Sequence, residues 1–321
     1  MGIAHSFIDA AAQAGADAIK FQTHIASAES TRDETFRIRM SGQDESRYDY
    51  WKRMEFTKDQ WYGLAKHAKE SGLVFLSSAF SVEAVELLDK IGMPAWKVGS
   101  GEFRSYELLS AMIQTEKPIL FSTGMSQYAE VDDAVKTFKD KDVSFALFQC
   151  TSKYPTPIEH VGLNVLNEYK RRYNCPVGLS DHSGTIHPAL AAISRGADLL
   201  ELHVTFDKKI YGPDTVASVT FDDLELICKH AQNVTLMDQN PVDKDQMADE
   251  LENVRNLFTK SIALASPQKA GTVISDKMLA PKKPGTGIPY TQKNDVIGLA
   301  LRKDVEADRL LNWEDLIRDK A

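Results

Sequence analysis

Two histidines follow successive apolar runs of the chain, at a spacing that could serve a metal ion. His182 closes the segment Ser-Asp-His after one run, and His203 ends the next run. Neutral imidazole suits borderline divalent ions, and carboxylates nearby would favour a harder ion such as manganese or magnesium. A lone histidine is more often a core residue with satisfied hydrogen bonds. Two at adjacent strand ends predict a metal site.

Two lysines, Lys20 and Lys97, are embedded in apolar runs (AIKF and AWKV). Burying an ammonium group without a partner is costly, so we expect each lysine to face an anion at the mouth of the fold. An internal ion pair with Glu102 or Glu201 is the alternative. Hydroxyl groups near other run ends could donate to phosphate oxygens. They belong to Ser78, Ser100 and Ser180.

These residues stand at the ends of seven short apolar runs that are typical of strands buried on both faces. The runs cover residues 17–22, 73–77, 95–98, 118–122, 144–149, 176–179 and 198–203. Amphipathic stretches separate them, which predicts an α/β fold of repeated strand–helix units, most similar to a TIM (β/α)₈ barrel. A doubly wound sheet is the alternative, but no Gly-x-Gly-x-x-Gly turn follows any run. Residues 5–14 predict a helix with no strand before it, so we expect seven strands rather than eight.

The rest of the chain predicts a lid and a second domain. The connection over residues 25–56 is long and polar, which is typical of functional lids or disordered segments. We expect the barrel over residues 1–238, a linker with a helix over 239–260, and a compact terminal domain over 261–321. That domain contains two apolar segments, 261–265 and 296–300, which predict short strands.

Composition limits the classes of protein that fit. Of 321 residues, 43% are hydrophobic and 26% charged, which allows a sizeable core. The net charge of −8 argues against nucleic-acid binding. No apolar run approaches 18 residues and no secretory signal pattern is present, so we expect no membrane span and a cytoplasmic location. Three scattered cysteines predict no disulfide framework, and Cys150 is interpreted as a small core residue rather than a nucleophile.

Seven motifs stand in an order that is known from one family. They are GADAIKFQTH (15–24), FLSSAFS (75–81), AWKVGSGE (95–102), KPILFSTGM (117–125), CTSKYPTP (150–157), GLSDHSG (178–184) and GPD (212–214). Together they resemble the sialic acid synthase (N-acetylneuraminate synthase) family, and KKPGTGI near the C-terminus resembles the antifreeze-like (SAF) domain of these proteins. The resemblance covers essentially the whole chain.

The resemblance implies a manganese-dependent condensation of phosphoenolpyruvate with an N-acylated amino sugar, such as N-acetylmannosamine, with release of phosphate. It implies that His182 and His203 hold the metal ion, with magnesium as another candidate. The residues implied for phosphoenolpyruvate are Lys20, Lys97, Ser78, Ser100, Ser152 and Ser180. Those implied for the sugar are Gln22, Tyr154 and Asp214, with Glu102 near the reacting atoms. The catalytic candidates among them are Lys20, Lys97, Glu102 and Asp214.

The family also implies a domain-swapped homodimer, in which Lys283 of the SAF domain reaches the partner's site. Family members usually have Arg at that position, and lysine lacks its bidentate fork. Their first strand supplies a carboxylate and ends in a His-x-Gly turn. No such motif is present here, so we expect a chain shortened at its amino end.

Two other functions stay open at this point. One is an imine-forming aldolase that uses Lys20 or Lys97 as the nucleophile. The other is a catalytically impaired paralogue that binds a sugar or phosphate.

Overall fold

The computed structural model describes residues 1–36 and 42–318, which form two compact units. The first unit spans Met1–Gln239 and the second Asn240–Ala321. Residues 37–41 of the long connection and residues 319–321 of the terminal domain lie outside the described residues.

The first unit is built on a parallel sheet that, within the described residues, has eight strands in sequential order. The strands are β1 Ala18–Thr23, β2 Val74–Ala79, β3 Trp96–Val98, β4 Ile119–Ser122, β5 Phe145–Cys150, β6 Val177–Asp181, β7 Leu199–Thr205 and β8 Ser218–Thr220. Each of the seven runs identified in the sequence begins one residue before one of β1–β7. The predicted α/β barrel-type fold is confirmed.

The eighth strand corrects the expected count of seven. β8 is parallel to β7, and its Ser218 is paired with His203. Its three residues are too few to give a detectable apolar pattern. Within the described residues β1 pairs with β2 alone, so the sheet is open beyond β1. β7 is half-exposed along six of its seven residues, whereas β6 is buried throughout.

Helices alternate with the strands of the first unit. They are α1 Gly2–Gln13, α2 Ala26–Glu29, α3 Arg47–Met54, α4 Lys58–Glu70, α5 Val82–Ile91, α6 Tyr106–Ile113, α7 Tyr128–Asp140, α8 Asn164–Tyr173, α9 His187–Ser194 and α10 Phe221–Gln239. Local sequence fixes their ends. In α5, the Ser81 side chain accepts a hydrogen bond from the N–H of Ala84, and Gly92 ends the helix at φ +86°.

Strand alternation separates the two faces of the sheet. Trp96 and Phe121 are fully buried in the apolar core that the helices share with the sheet. The next residues along these strands, Lys97 and Ser122, therefore point to the opposite, inner face. A polar inner face is where a barrel of this type can carry a site.

The second unit combines short helices with small antiparallel sheets. Its elements are α11 Lys244–Glu250, α12 Glu252–Phe258, β9 Ser261–Leu264, β10 Leu279–Lys282, α13 Lys293–Val296, β11 Ala300–Leu301 and β12 Leu316–Ile317. β9 pairs with β10, and β11 with β12. It has its own core, which includes Ile262 and Leu301. The expected strand over 296–300 is wrong for most of its length, because Val296 ends a helix and only Ala300 belongs to a strand.

Among the described helices, none combines the length and apolarity that a membrane crossing requires.

Candidate active site

The register of the sheet collects the chemical side chains on one face. Gln22 is paired with Ser78, and Ser78 with Lys97, across three neighbouring strands. Further along the same sheet, Ser180 of β6 is paired with Glu201 of β7. Paired residues in a parallel sheet share a face, so these five side chains surround the same interior space.

Glu201 is the charge that joins the two lysines. The Nζ atom of Lys20 lies 3.8 Å from its Oε2, and that of Lys97 lies 3.4 Å from its Oε1. Ser180 donates a hydrogen bond of 2.8 Å to the same carboxylate, and Lys97 donates one of 2.6 Å to Ser122. The ion-pair alternative raised by the sequence is therefore present, and the partner is Glu201.

The site holds more positive than negative charge. Burial alone would raise the pKa of Glu201, but the charges of Lys20 and Lys97 outweigh it and lower the pKa to about 2. Burial lowers the pKa of Lys97, while the attraction of Glu201 opposes this effect. When both lysines are protonated, the two ammonium groups and one carboxylate carry one net positive charge. Lys97, which is 2% exposed, holds its part of that charge away from solvent. The cluster is suited to bind an anion.

The two predicted metal ligands are neighbours. The rings of His182 and His203 have centroids 5.2 Å apart, and the ring of Tyr154 lies 4.3 Å from that of His182. Tyr154 Oη and His182 Nε2 are hydrogen-bonded at 2.9 Å. Burial, helped by the positive charge that His203 would carry, lowers the pKa of His182 to about 4. His182 is therefore a neutral imidazole at pH 7, the form that binds metals.

The donor set supplies part of a metal shell. Within residues 1–36 and 42–318, no group of three or more His, Cys, Asp or Glu side chains is arranged to hold a metal ion. Zinc takes about four ligands and magnesium about six. Two imidazoles therefore fit a divalent ion only if water or substrate oxygens complete its shell.

A narrow cradle of small side chains lies around Gly124. Its N–H donates a 3.1 Å hydrogen bond to Ser100 Oγ, and Ser100 Oγ lies 3.4 Å from Cys150 Sγ. A Cβ atom at Gly124 would lie 2.5 Å from Ser152 Oγ and 2.7 Å from Ser100 Oγ. Only glycine leaves both hydroxyl groups in place here.

Cys150 is buried between this cradle and His182. Its Sγ lies 3.7 Å from His182 Nδ1, and burial raises the pKa of the thiol. The thiolate is the nucleophilic form of cysteine. A thiol of raised pKa supports the interpretation of Cys150 as a packing residue.

The other candidates are Glu102, Asp214 and Lys283. Glu102, in the one-turn helix Ser100–Glu102, accepts a hydrogen bond from Ser105. Asp214 precedes the one-turn helix Thr215–Ala217, and burial, with a smaller contribution from the Asp214 charge, raises the pKa of Tyr50. Lys283 belongs to the second unit, where its ammonium group lies 4.9 Å from the ring centre of Phe258.

The central position of Glu201 was missed as a site feature, because the sequence offered it only as one of two ion-pair partners. Strand period could have placed its side chain on the inner face, but not beside the two lysines. Glu201 precedes His203 by two residues in β7, so both side chains lie on the same face.

Both parts of the chain match known protein families. A profile of the NeuB family matches residues 7–243, and a profile of the SAF domain matches residues 259–317. The chain belongs to the NeuB family.

Relatives of this NeuB-family chain include named synthases. It is 29% identical to the N,N'-diacetyllegionaminic acid synthase of Campylobacter jejuni, over 97% of this chain and 94% of that one. It is 30% identical to the human N-acetylneuraminate-9-phosphate synthase, over 99% and 89%. The solved N-acetylneuraminic acid synthetase of Leptospira borgpetersenii superposes with a TM-score of 0.69 at 27% identity, covering 80% of this chain and 87% of that one.

Proposed function

We propose that this protein condenses phosphoenolpyruvate with an N-acylated amino sugar to form a nonulosonic acid and phosphate. The observation that carries the proposal is the inner-face cluster of Lys20, Lys97 and Glu201, beside a pair of neighbouring histidines. Family membership supports the same reaction, because its named relatives are synthases of N-acetylneuraminate 9-phosphate and of legionaminic and pseudaminic acids.

The lysine cluster would bind the phosphate and carboxylate of phosphoenolpyruvate. Glu201 balances one of the two ammonium groups until the anion arrives and keeps both lysines oriented in the meantime. Hydroxyl groups around the same space would complete the binding. We assign this role to Ser78, Ser100, Ser152 and Ser180.

The reaction needs preorganised charge more than covalent help from the protein. C3 of the enol attacks the aldehyde carbon of the open-chain sugar, which forms the new C–C bond and leaves positive charge at C2. Water adds at C2, and phosphate leaves by cleavage of its C–O bond. Lys20 and Lys97 would hold the phosphate and carboxylate oxygens through these steps at no cost in reorganisation.

We assign the acceptor and metal roles to the residues around the histidine pair. Gln22, Tyr154 and Asp214 would bind the sugar, with Glu102 near the reacting atoms. His182 and His203 would hold a manganese or magnesium ion. When bound, such an ion polarises the aldehyde oxygen.

We also propose a homodimer in which Lys283 serves the partner's site. The support is an exposed apolar stripe along α12. It is formed by Leu251, just before the helix, and by Val254 and Leu257, each three residues further along. Such a stripe favours burial against another surface. We take that surface to belong to a second copy.

The direct test is phosphate release from phosphoenolpyruvate in the presence and absence of N-acetylmannosamine or a bacterial diamino sugar. We expect release only with both substrates, loss with EDTA and recovery with manganese. The His182→Ala variant should fold and lose the metal-dependent turnover. Sugar-independent release, or none with any acceptor, would contradict the proposal.

One observation favours the aldolase as a second candidate. Burial lowers the pKa of Lys97, which is what a nucleophilic lysine needs. An imine-forming enzyme would be trapped by borohydride as a covalent adduct with its substrate, and EDTA would not change its activity. We expect no adduct, because Lys97 is bound to Glu201 and Ser122.

A further inference from the structure

Two histidines face each other between α1 and α4, which pack together on the outer side of the sheet. The Nδ1 atoms of His5 in α1 and His67 in α4 lie 2.8 Å apart, and the ring centres are 4.9 Å apart. Beneath them, Ile8 and Leu64 of the same two helices are buried in the core that the helices share with the sheet. The candidate active site occupies the inner face, so this pair of histidines is separate from it.

A carboxylate fixes which nitrogen of His67 faces its partner. Asp9 Oδ1 lies 2.9 Å from His67 Nε2. In a neutral imidazole one nitrogen carries the proton and the other has a lone pair. Since a carboxylate accepts hydrogen bonds and cannot donate them, the proton of His67 is on Nε2. The Nδ1 atom of His67 therefore presents a lone pair to His5, and His5 Nδ1 donates the hydrogen bond between the rings.

Helical spacing builds this arrangement from residues distant in sequence. His5 and Asp9 are four positions apart in α1, so both side chains lie on the same face of the helix. His67 belongs to the last turn of α4 and reaches both of them. The result is a line of three groups across two helices, in the order carboxylate, imidazole, imidazole.

This order is that of a metal site with an oriented ligand. A histidine that binds a metal through one nitrogen usually donates its other N–H to a carboxylate, which fixes the ring and raises its basicity. Zn–N bonds of about 2.0–2.1 Å at a tetrahedral angle place two nitrogens about 3.3 Å apart. From the present 2.8 Å, the two Nδ1 atoms would separate by about 0.5 Å as the rings tilt. The His67 side chain is 25% exposed, which allows this movement and gives water access to the pair.

We propose that His5 and His67 bind a borderline divalent transition-metal ion such as zinc, and that Asp9 orients His67 through its other nitrogen. The ion replaces the proton between the two Nδ1 atoms, and that proton moves to His5 Nε2, so both rings stay neutral. Throughout the part of the chain that the structure describes, no group of three or more His, Cys, Asp or Glu side chains is arranged around an ion, so water completes the shell. Imidazole ligands favour zinc over magnesium or calcium, which prefer oxygen.

Such an ion would clip α1 to α4. These helices precede β1 and β2, and β1 is the strand that, among the described residues, has a hydrogen-bonded neighbour on one side only. The clip therefore adds a cross-link at the open edge of the sheet. An ion that binds the folded chain and not the unfolded one raises stability by mass action.

The test counts the zinc ions that the full-length protein binds at neutral pH, by isothermal titration calorimetry. We expect the wild type to bind one ion more than His5→Gln and one more than His67→Gln. Zinc should also raise the thermal unfolding temperature of the wild type more than that of either variant. Asp9→Asn should keep the ion with a Kd raised about ten-fold or more, as is usual when the carboxylate behind a histidine ligand is lost.

Counting by difference leaves out any ion held elsewhere in the protein, such as at His182 and His203. The matched control is His230→Gln, a half-buried histidine of α10 whose Nε2 lies 3.2 Å from Ser194 Oγ. It should bind as many ions as the wild type. Circular dichroism checks that each variant folds, and either histidine variant decides the question by itself.

Equal numbers of zinc ions on the wild type and on a folded His5→Gln or His67→Gln variant would overturn the proposal. The pair would then be a hydrogen bond between helices and nothing more. An unchanged Kd in Asp9→Asn would remove Asp9 from the site. The count of ions involves no substrate, so the result is independent of the proposed condensation.

Discussion

Glu201 sets the electrostatics of the barrel interior at the scale of single residues, because the buried Lys97 and the partly exposed Lys20 both contact its carboxylate. Without it, the positive charges of the two lysines would repel each other. Removal of one member of a buried ion pair costs more than the pair itself contributes, since the remaining charge is uncompensated. An anionic substrate could replace the missing charge.

Glu201→Gln should therefore lower the free energy of unfolding by about 3 kcal/mol in plain buffer, the lower end for a broken buried ion pair, because the Glu201 side chain is 20% exposed. Saturating phosphoenolpyruvate should recover part of this loss, as measured by thermal unfolding. Glu86→Gln, at an exposed position of α5, is the control and should change little. A stability loss in Glu201→Gln that phosphoenolpyruvate does not reduce would contradict the anion-binding role of the lysines.

Gly124 offers a second test at the same scale. A Cβ there would collide with the ends of Ser100, Ser152 and Cys150, side chains that can rotate away. Gly124→Ala should thus fold, displace the hydroxyl groups and raise KM for phosphoenolpyruvate at least about ten-fold, the loss of one to two hydrogen bonds.

The matched control is Gly63→Ala, in α4, where a Cβ meets nothing within 4 Å. It should keep the wild-type KM and gain about 0.5–1 kcal/mol of stability, since alanine favours the helix. An unchanged KM in Gly124→Ala would remove Ser100 and Ser152 from the binding site.

Among the elements, the terminal domain depends on one buried carboxylate. Asp315 is 1% exposed and accepts hydrogen bonds from Arg309, from the N–H of Asn312 and from Lys303. Burial opposes its ionisation, but these partners lower its pKa to about 2. Its usual value is 3.8, so the carboxylate contributes stability above that pH, and the contribution is lost as the pH falls towards 2.

Asp315→Asn should be about 2 kcal/mol less stable than the wild type above pH 4, because each pKa unit is worth about 1.4 kcal/mol. The difference should shrink as the pH falls from 3.8 to about 2. Urea unfolding of both full-length proteins across this range measures it. A difference that stays constant with pH would show that the carboxylate is not what stabilises this domain.

The helices and strands differ in how well the sequence pattern predicts them. Runs of apolar residues located β1–β7 because buried parallel strands are apolar on both faces. β8 has three residues and α3 lies in a polar connection, so neither leaves a strong periodic signal. The linker over 239–260, expected to hold one helix, holds two within the described residues, because α11 ends at Glu250 and α12 begins at Glu252.

The residues of the candidate site also differ in whether the sequence could place them. Lys97 and Ser180 could be placed on the inner face from strand period alone. The choice between Glu102 and Glu201 could not, because it depends on how the sheet curls to bring β1, β3 and β7 together.

At the scale of the whole molecule, the exposed stripe of α12 predicts association. Leu257 is 65% exposed and Val254 45%, and together with Leu251 they form an apolar stripe, whereas a singly exposed residue such as Ile3 is ordinary. A Val254→Ser, Leu257→Ser double variant should sediment as a monomer, whereas the wild type sediments as a dimer. Ile3→Ser, at a 74% exposed position of α1, should remain dimeric. A monomeric wild type would contradict the proposed homodimer.

The most direct test of the central claim is the fate of phosphoenolpyruvate labelled with oxygen-18 at its bridging oxygen. The protein would be incubated with the labelled phosphoenolpyruvate and a panel of N-acylated amino sugars. Mass spectrometry would then measure the masses of the products. We predict one new acid with three carbons more than the sugar, and phosphate that carries the label, because the C–O bond is cleaved. Unlabelled phosphate, or consumption of phosphoenolpyruvate without a new acid, would contradict the account.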